Sequence, residues 1–188
     1  MVISPYARMI VSSHAGWEDV ERVHPSVITL FLFLVLPMSF VPPAMILYAG
    51  FDYGGHYFEA AIGATWVLSS LVFLTAELVT VPLMAWAMKS IAETRGIRTE
   101  YRDTFAVASI AAVPMWLSSV ALFVPNPAFV IGAVLIGLLV SISIVYHGIA
   151  GMLHLHEGVE VSSITYTTIS LGIVAWMFLI ALVFLPLL

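Results

Sequence analysis

Five stretches of the chain, at about 26–48, 60–88, 104–123, 128–151 and 163–185, are apolar with only scattered polar positions, and the polar residues gather between them. Each stretch reaches the ~20 residues that a helix rising 1.5 Å per residue needs to cross a hydrocarbon core. Alternation with a period of two, the mark of a transmembrane barrel strand, is missing: Phe129 to Leu139 carries no polar side chain. The pattern predicts an all-α integral membrane protein with five transmembrane helices over residues 26–188.

Residues 1–25 read differently. Tyr6, Met9 and Ile10 fall at helical spacing, and so do Trp17, Val20 and His24. This spacing predicts a short amphipathic arm lying in the membrane interface, with Trp17 at headgroup level and Glu18 paired to Arg22 at i, i+4. The first span follows Pro25-Ser26 and contains Pro37, Pro42 and Pro43, each of which removes a backbone donor, so a bent and packed helix is expected. Gly132, Gly137, Gly148 and Gly151 predict close helix approach along the fourth span.

Composition agrees with a membrane interior: 62% of residues are hydrophobic and 9% charged, and the mean hydropathy is +1.09. Soluble domains have about 45–50% apolar and ~25% charged residues. Charge then adds sidedness. Four of the six Lys and Arg residues, Lys89, Arg95, Arg98 and Arg102, lie between the second and third apolar stretches. A basic connection stays cytoplasmic, which by parity puts the N-terminus inside and the C-terminus outside. The 153–162 connection becomes cytoplasmic too, although it has histidines and glutamates instead of basic residues. Residues 1–24 hold no signal-peptide core, so the first span is expected to be its own insertion signal. The net charge of −5 is scattered, which argues against a nucleic-acid partner. With no cysteine, disulfides and thiolate chemistry are excluded.

Glu77 stands out, because an ionisable group inside a span must face protein or water. Counting depth by helical rise brings Ser109, Ser143 and Ser170 into its layer, with Thr80 one turn along and Tyr146 and His147 a turn nearer the basic connection. Glu77 is then either a neutral tie between helices or the centre of an ion, proton or substrate site. The absence of a basic partner at its depth favours the tie. His154, His156 and Glu157, with Glu160, offer ligand types for a zinc-like ion. The two histidines share a side only in extended chain, and no H-E-x-x-H pattern accompanies them, so no metal is expected. No nucleophile grouping or phosphate loop occurs, and neither enzymatic activity nor a cofactor is expected.

Tyr101-Arg102-Asp103, a span with central Pro114, a glycine-rich span ending Val145-Tyr146-His147-Gly148-Ile149, and a polar connection before Ser162-Ser163 resemble the Yip family of five-span membrane proteins. Ser13-His14 before acidic residues, and Val35-Leu36-Pro37 in the first span, are similar to its small bacterial inner-membrane branch. The resemblance implies five helices with a cytoplasmic N-terminus. Eukaryotic members bind prenylated Rab-type GTPases and one another, but the long N-terminal domain of many of them has no counterpart here, so GTPase binding is not carried over. The function expected is a non-enzymatic scaffold or adaptor engaging membrane lipids, protein partners or further copies of itself. The alternative is a small oligomeric channel or carrier for an ion, proton or lipid-like molecule centred on Glu77.

Overall fold

The computed structural model describes residues 16–59, 61–155 and 158–187, so the first part of the predicted arm, Tyr6, Met9 and Ile10 included, lies outside the described residues. Helix α1 spans Trp17–Val23. Five longer helices follow: α2 (Val27–Asp52), α3 (Gly63–Thr94), α4 (Tyr101–Phe123), α5 (Pro127–Met152) and α6 (Val159–Leu187). All five are long and apolar enough to cross a membrane, and no strand occurs among the described residues.

The helix ends follow from local chemistry. At the start of α2, Ser26 Oγ accepts from the Thr29 N–H (3.1 Å); at the start of α5, Asn126 Oδ1 accepts from the Ala128 and Phe129 N–H groups, with Pro127 in the first turn. Helix α3, which ends at Thr94, is closed off by Gly96, where φ is +78°. There the Gly96 N–H donates to the Glu93 carbonyl and the Ile97 N–H to the Ala92 carbonyl. A left-handed residue is needed at that position, and glycine takes it without a steric penalty.

Helix α2 is bent as expected. A turn of π-helix, Phe31–Val35, precedes Pro37, and the helix breaks at Ser39-Phe40 before resuming at Val41 with Pro42 and Pro43 in its first turn. It then continues to Asp52, four residues beyond the predicted end. Helix α3 runs on to Thr94, so Lys89 is a helical residue, 3.5 Å from Glu93, and only 95–100 connects α3 to α4. Arg102 is likewise in the first turn of α4, 3.3 Å from Glu100.

Helix α4 is central and packs against α2, α3 and α5, while α6 packs on α3 and α5. Its Phe105, Ala106, Val107 and Trp116 are buried, as suits a helix with neighbours on most sides. Outer faces carry large exposed apolar residues, such as Phe33 on α2, Leu71 and Val79 on α3, Leu139 on α5 and Phe178 on α6. Exposed apolar surface so extensive belongs against lipid. Packing is tightest toward the 95–100 connection, here called the arginine end. There Met88, Ala92, Val107, Ile149 and Ile164 form one buried cluster. The opposite end, bounded by Tyr53–Glu59 and Val124–Asn126, is looser.

Trp17 departs from expectation. It is 1% exposed, and its ring fills the notch at Gly148, where an added Cβ would lie 2.8 Å from the indole and 2.9 Å from Val107. Helix α1 is thus packed on α5 through a buried anchor, its tryptophan turned to protein and not to lipid. Arg22 pairs with Asp19 at 2.5 Å, at i, i+3 spacing. Among the predicted close-approach glycines, Gly137 and Gly148 contact neighbouring helices, whereas Gly132 has nothing within 4 Å.

Candidate functional site

Glu77 lies on the inner face of α3 and is 7% exposed. Its Oε1 accepts from the Trp116 indole N–H of α4 at 2.5 Å. Trp116 is itself 2% exposed, so this bond is sealed inside the bundle. An indole N–H can only donate and a buried one needs an acceptor, which is the signal that could have singled out Trp116 in advance.

The predicted serine layer does not form around the carboxyl. Ser109 donates to the Ala106 carbonyl, Ser170 to Tyr166 and Thr80 to Ala76, each within its own helix. Ser143 lies against His147, whose Nδ1 is bonded to the Ser143 carbonyl at 2.8 Å, and the Tyr146 ring stands edge-on to His147. Thr80 does line the same cavity as Glu77, so of the predicted layer only that residue is near the site.

The structure brings Ser141 of α5 and Thr168 of α6 to Glu77's cavity in place of Ser143 and Ser170. These stand two positions earlier on each helix, a rotation of ~200° about the axis. Rise per residue fixes height but not face, and the hydroxyls at 143 and 170 are on the wrong one. The depth is also shifted. With α3 ending at Thr94 instead of Met88, its middle falls between Leu78 and Val79, which moves Glu77 toward the level of Trp116.

Two cavities meet at Glu77. The larger, about 430 Å³, runs from the loops at the loose end, past Tyr53, Trp66 and Phe73 on one side and Val134, Trp176 and Ile180 on the other, and stops at Glu77. Its walls are almost wholly apolar. The Tyr53 hydroxyl in its rim donates to the Leu122 carbonyl (2.7 Å), and burial, then the neighbouring Tyr57, holds that phenol above its usual range, so it remains a neutral donor. The smaller cavity, about 170 Å³, continues beyond Glu77 toward the arginine end and is bounded by Thr80, Met84, Trp116, Ser141 and Thr168. Glu77 Oε2, Ser141 Oγ and Thr168 Oγ1 are all buried and have no hydrogen-bond partner among the described residues.

The four topology residues remain at one end. Arg95 holds the last helix by hydrogen bonds to Ser163 and Thr167, and Arg98 and Arg102 line an open polar bowl with His24 and His154. His154 Nε2 lies 2.8 Å from Glu21 Oε1, tying helix α1 to the chain after α5. The other weak metal candidates, His156 and Glu157, lie outside the described residues, and Glu160 sits in the first turn of α6. No set of three metal-ligating side chains occurs among the described residues.

A bundle of five membrane-length helices, with a carboxyl buried where two largely apolar cavities meet, defines a multi-pass membrane protein. Residues 7–185 match the family model of the Yip1 domain, so the chain belongs to the Yip family. Neither the curated proteins nor the solved structures give a significant match.

Proposed function

We propose that the protein is a non-enzymatic adaptor of the Yip type in a bacterial inner membrane, and that it works by engaging lipids or lipid-like molecules between its helices. The observation that carries this reading is the apolar cavity of about 430 Å³ reaching the middle of the bundle. Concave, mostly apolar spaces with a few placed polar groups are where proteins hold small ligands. This one is too apolar to favour an aqueous path. A diazirine-bearing acyl lipid, photoactivated with the protein in vesicles, should label peptides containing Phe73, Val134 or Ile180 inside the cavity. Labelling restricted to the outward Leu71, Val79, Leu139 and Phe178 would leave the protein with only ordinary lipid contact.

The second reading is a small oligomeric carrier, supported by the position of Glu77 at the junction of the two cavities. Ion or proton flux in proteoliposomes that is lost on Glu77→Gln would favour it over the adaptor. Self-association and membrane protein partners are part of the adaptor proposal. The exposed apolar faces and the open notch at Gly132 support both.

Orientation is proposed from charge. Lys89, Arg95, Arg98 and Arg102 stay together at one end of the bundle, which makes that end cytoplasmic under the positive-inside rule. Reporter fusions after Arg98 should then read cytoplasmic, and fusions after Asn126 and Leu188 external. A cytoplasmic reading after Asn126 would invert the assignment.

A further inference from the structure

We infer that the two joined cavities are one site for a single-chain amphiphile bound head first: a hydrogen-bond-donating head, hydroxyl or ammonium, at Glu77, Ser141 and Thr168, and an apolar chain running out past Phe73 and Trp66. This rests on the reading above that the larger cavity holds a chain, and it adds what the head must be. Three buried polar atoms from three helices, Glu77 Oε2 on α3, Ser141 Oγ on α5 and Thr168 Oγ1 on α6, have no partner among the described residues, and all three residues line one space of about 170 Å³. Buried polar groups in native proteins are nearly always hydrogen-bonded, so a convergent unmet set marks where a polar guest is accommodated. A cavity of this size exceeds the ~150 Å³ that admits a benzene-sized guest in an apolar interior.

The side chains also select the head. An ionised carboxyl accepts, while a neutral carboxyl and a hydroxyl can each donate or accept, so a hydroxyl head is met in either state of Glu77 and an ammonium head when Glu77 is ionised. No Lys, Arg or His lines either cavity. A phosphate or carboxylate head would therefore be buried beside Glu77 with no countercharge, which disfavours ordinary phospholipids and fatty acids. Glu77 Oε1 is already taken by Trp116, which fixes the carboxyl and leaves Oε2 without a partner among the described residues. The cavity's lining runs from buried Glu77 to exposed Tyr57 and Asn126, so the chain leads outward from the head.

The experiment compares dodecanol, dodecylamine and dodecyl phosphate on the purified full-length chain in nanodiscs, reading tryptophan fluorescence from Trp66, Trp116 and Trp176 in the cavity walls. The alcohol or the amine should bind at least tenfold more tightly than the phosphate of equal chain length, and the order of those two tells which donor is preferred. Glu77→Gln keeps an oxygen for Trp116 but turns an amide donor toward the head, and should remove most of that preference while the thermal unfolding temperature holds. Thr168→Val, close to isosteric, should weaken the preferred probe severalfold and serves as the second variant if Glu77→Gln does not fold. Equal binding of all three probes, or tighter binding of the phosphate, would overturn the donor-head assignment and leave the chain-holding reading intact. No binding of any probe would take down both.

Discussion

Replacing Gly137 by leucine should destabilise the protein by about 2–3 kcal/mol, because the new side chain has no room and the obstacle cannot move aside. A Cβ at residue 137 would lie 2.9 Å from the Pro114 carbonyl oxygen and 3.2 Å from the Ser118 Cβ. The first of these is backbone in the middle of α4, held by that helix, so the clash must be relieved by moving α4 and α5 apart. Gly132→Leu on the same helix is the matched control, since nothing lies within 4 Å of that position. Both substitutions gain the ~0.8–1 kcal/mol by which glycine disfavours a helix, so their difference isolates packing. Chemical or thermal unfolding in micelles should show Gly137→Leu clearly destabilised and Gly132→Leu unchanged or slightly stabilised. Equal stability of the two variants would mean that α4 and α5 do not meet at Gly137. The contact also bears on the site: Ser141 lies one turn along α5 from Gly137, and Trp116 lies beside Pro114 on α4, so spreading the helices would widen the cavity between them.

The spans were legible because a run of apolar residues as long as a bilayer is thick is stable chiefly in lipid, and repeating it five times in one chain leaves too few polar residues to coat a soluble core. The bend in α2 was legible because three prolines within seven residues (37–43) interrupt the backbone hydrogen bonds of any helix. Helix ends were harder to place. Lys89 and Arg102 looked like connection residues because they are charged, yet long basic side chains can extend from a helix end to the interface, so helices continue past the apolar stretch. Gly96, a residue that often closes helices, was the more reliable sign for α3. Trp17 was misplaced for a similar reason. An amphipathic spacing says that one face is apolar but not whether that face meets lipid or protein, and the notch at Gly148 that receives the indole is formed by a segment about 130 residues away. The site was half legible: Glu77 announced itself by the cost of burying a carboxyl, whereas Trp116, Ser141 and Thr168 depend on the rotational phase of three other helices, which one chain's hydropathy does not encode.

Removing the indole N–H should reveal how much of the fold depends on the Glu77 contact. Trp116→Phe keeps an aromatic ring in the buried cluster with Val35, Val81 and Phe105 but leaves Glu77 Oε1 without its donor. A buried acceptor stripped of its partner costs about 1–3 kcal/mol, and the lost ring atoms add to that, so a loss of ~2–3 kcal/mol is expected. Glu77→Leu removes the other partner and orphans the indole N–H, though the gain in apolarity offsets part of the cost and ~1 kcal/mol remains. The double variant is the informative one. With both polar groups gone, nothing is left unpaired, so its loss should fall short of the sum of the single losses by about 1 kcal/mol or more. Interhelical hydrogen bonds in membranes average only ~0.6 kcal/mol by this method, so a larger coupling would mark a bond strengthened by its sealed surroundings. Strict additivity would show that the two side chains do not interact. Unfolding of the four proteins of the cycle, in micelles without added amphiphile, measures the coupling directly and keeps it separate from any contribution of a bound head at Glu77 Oε2.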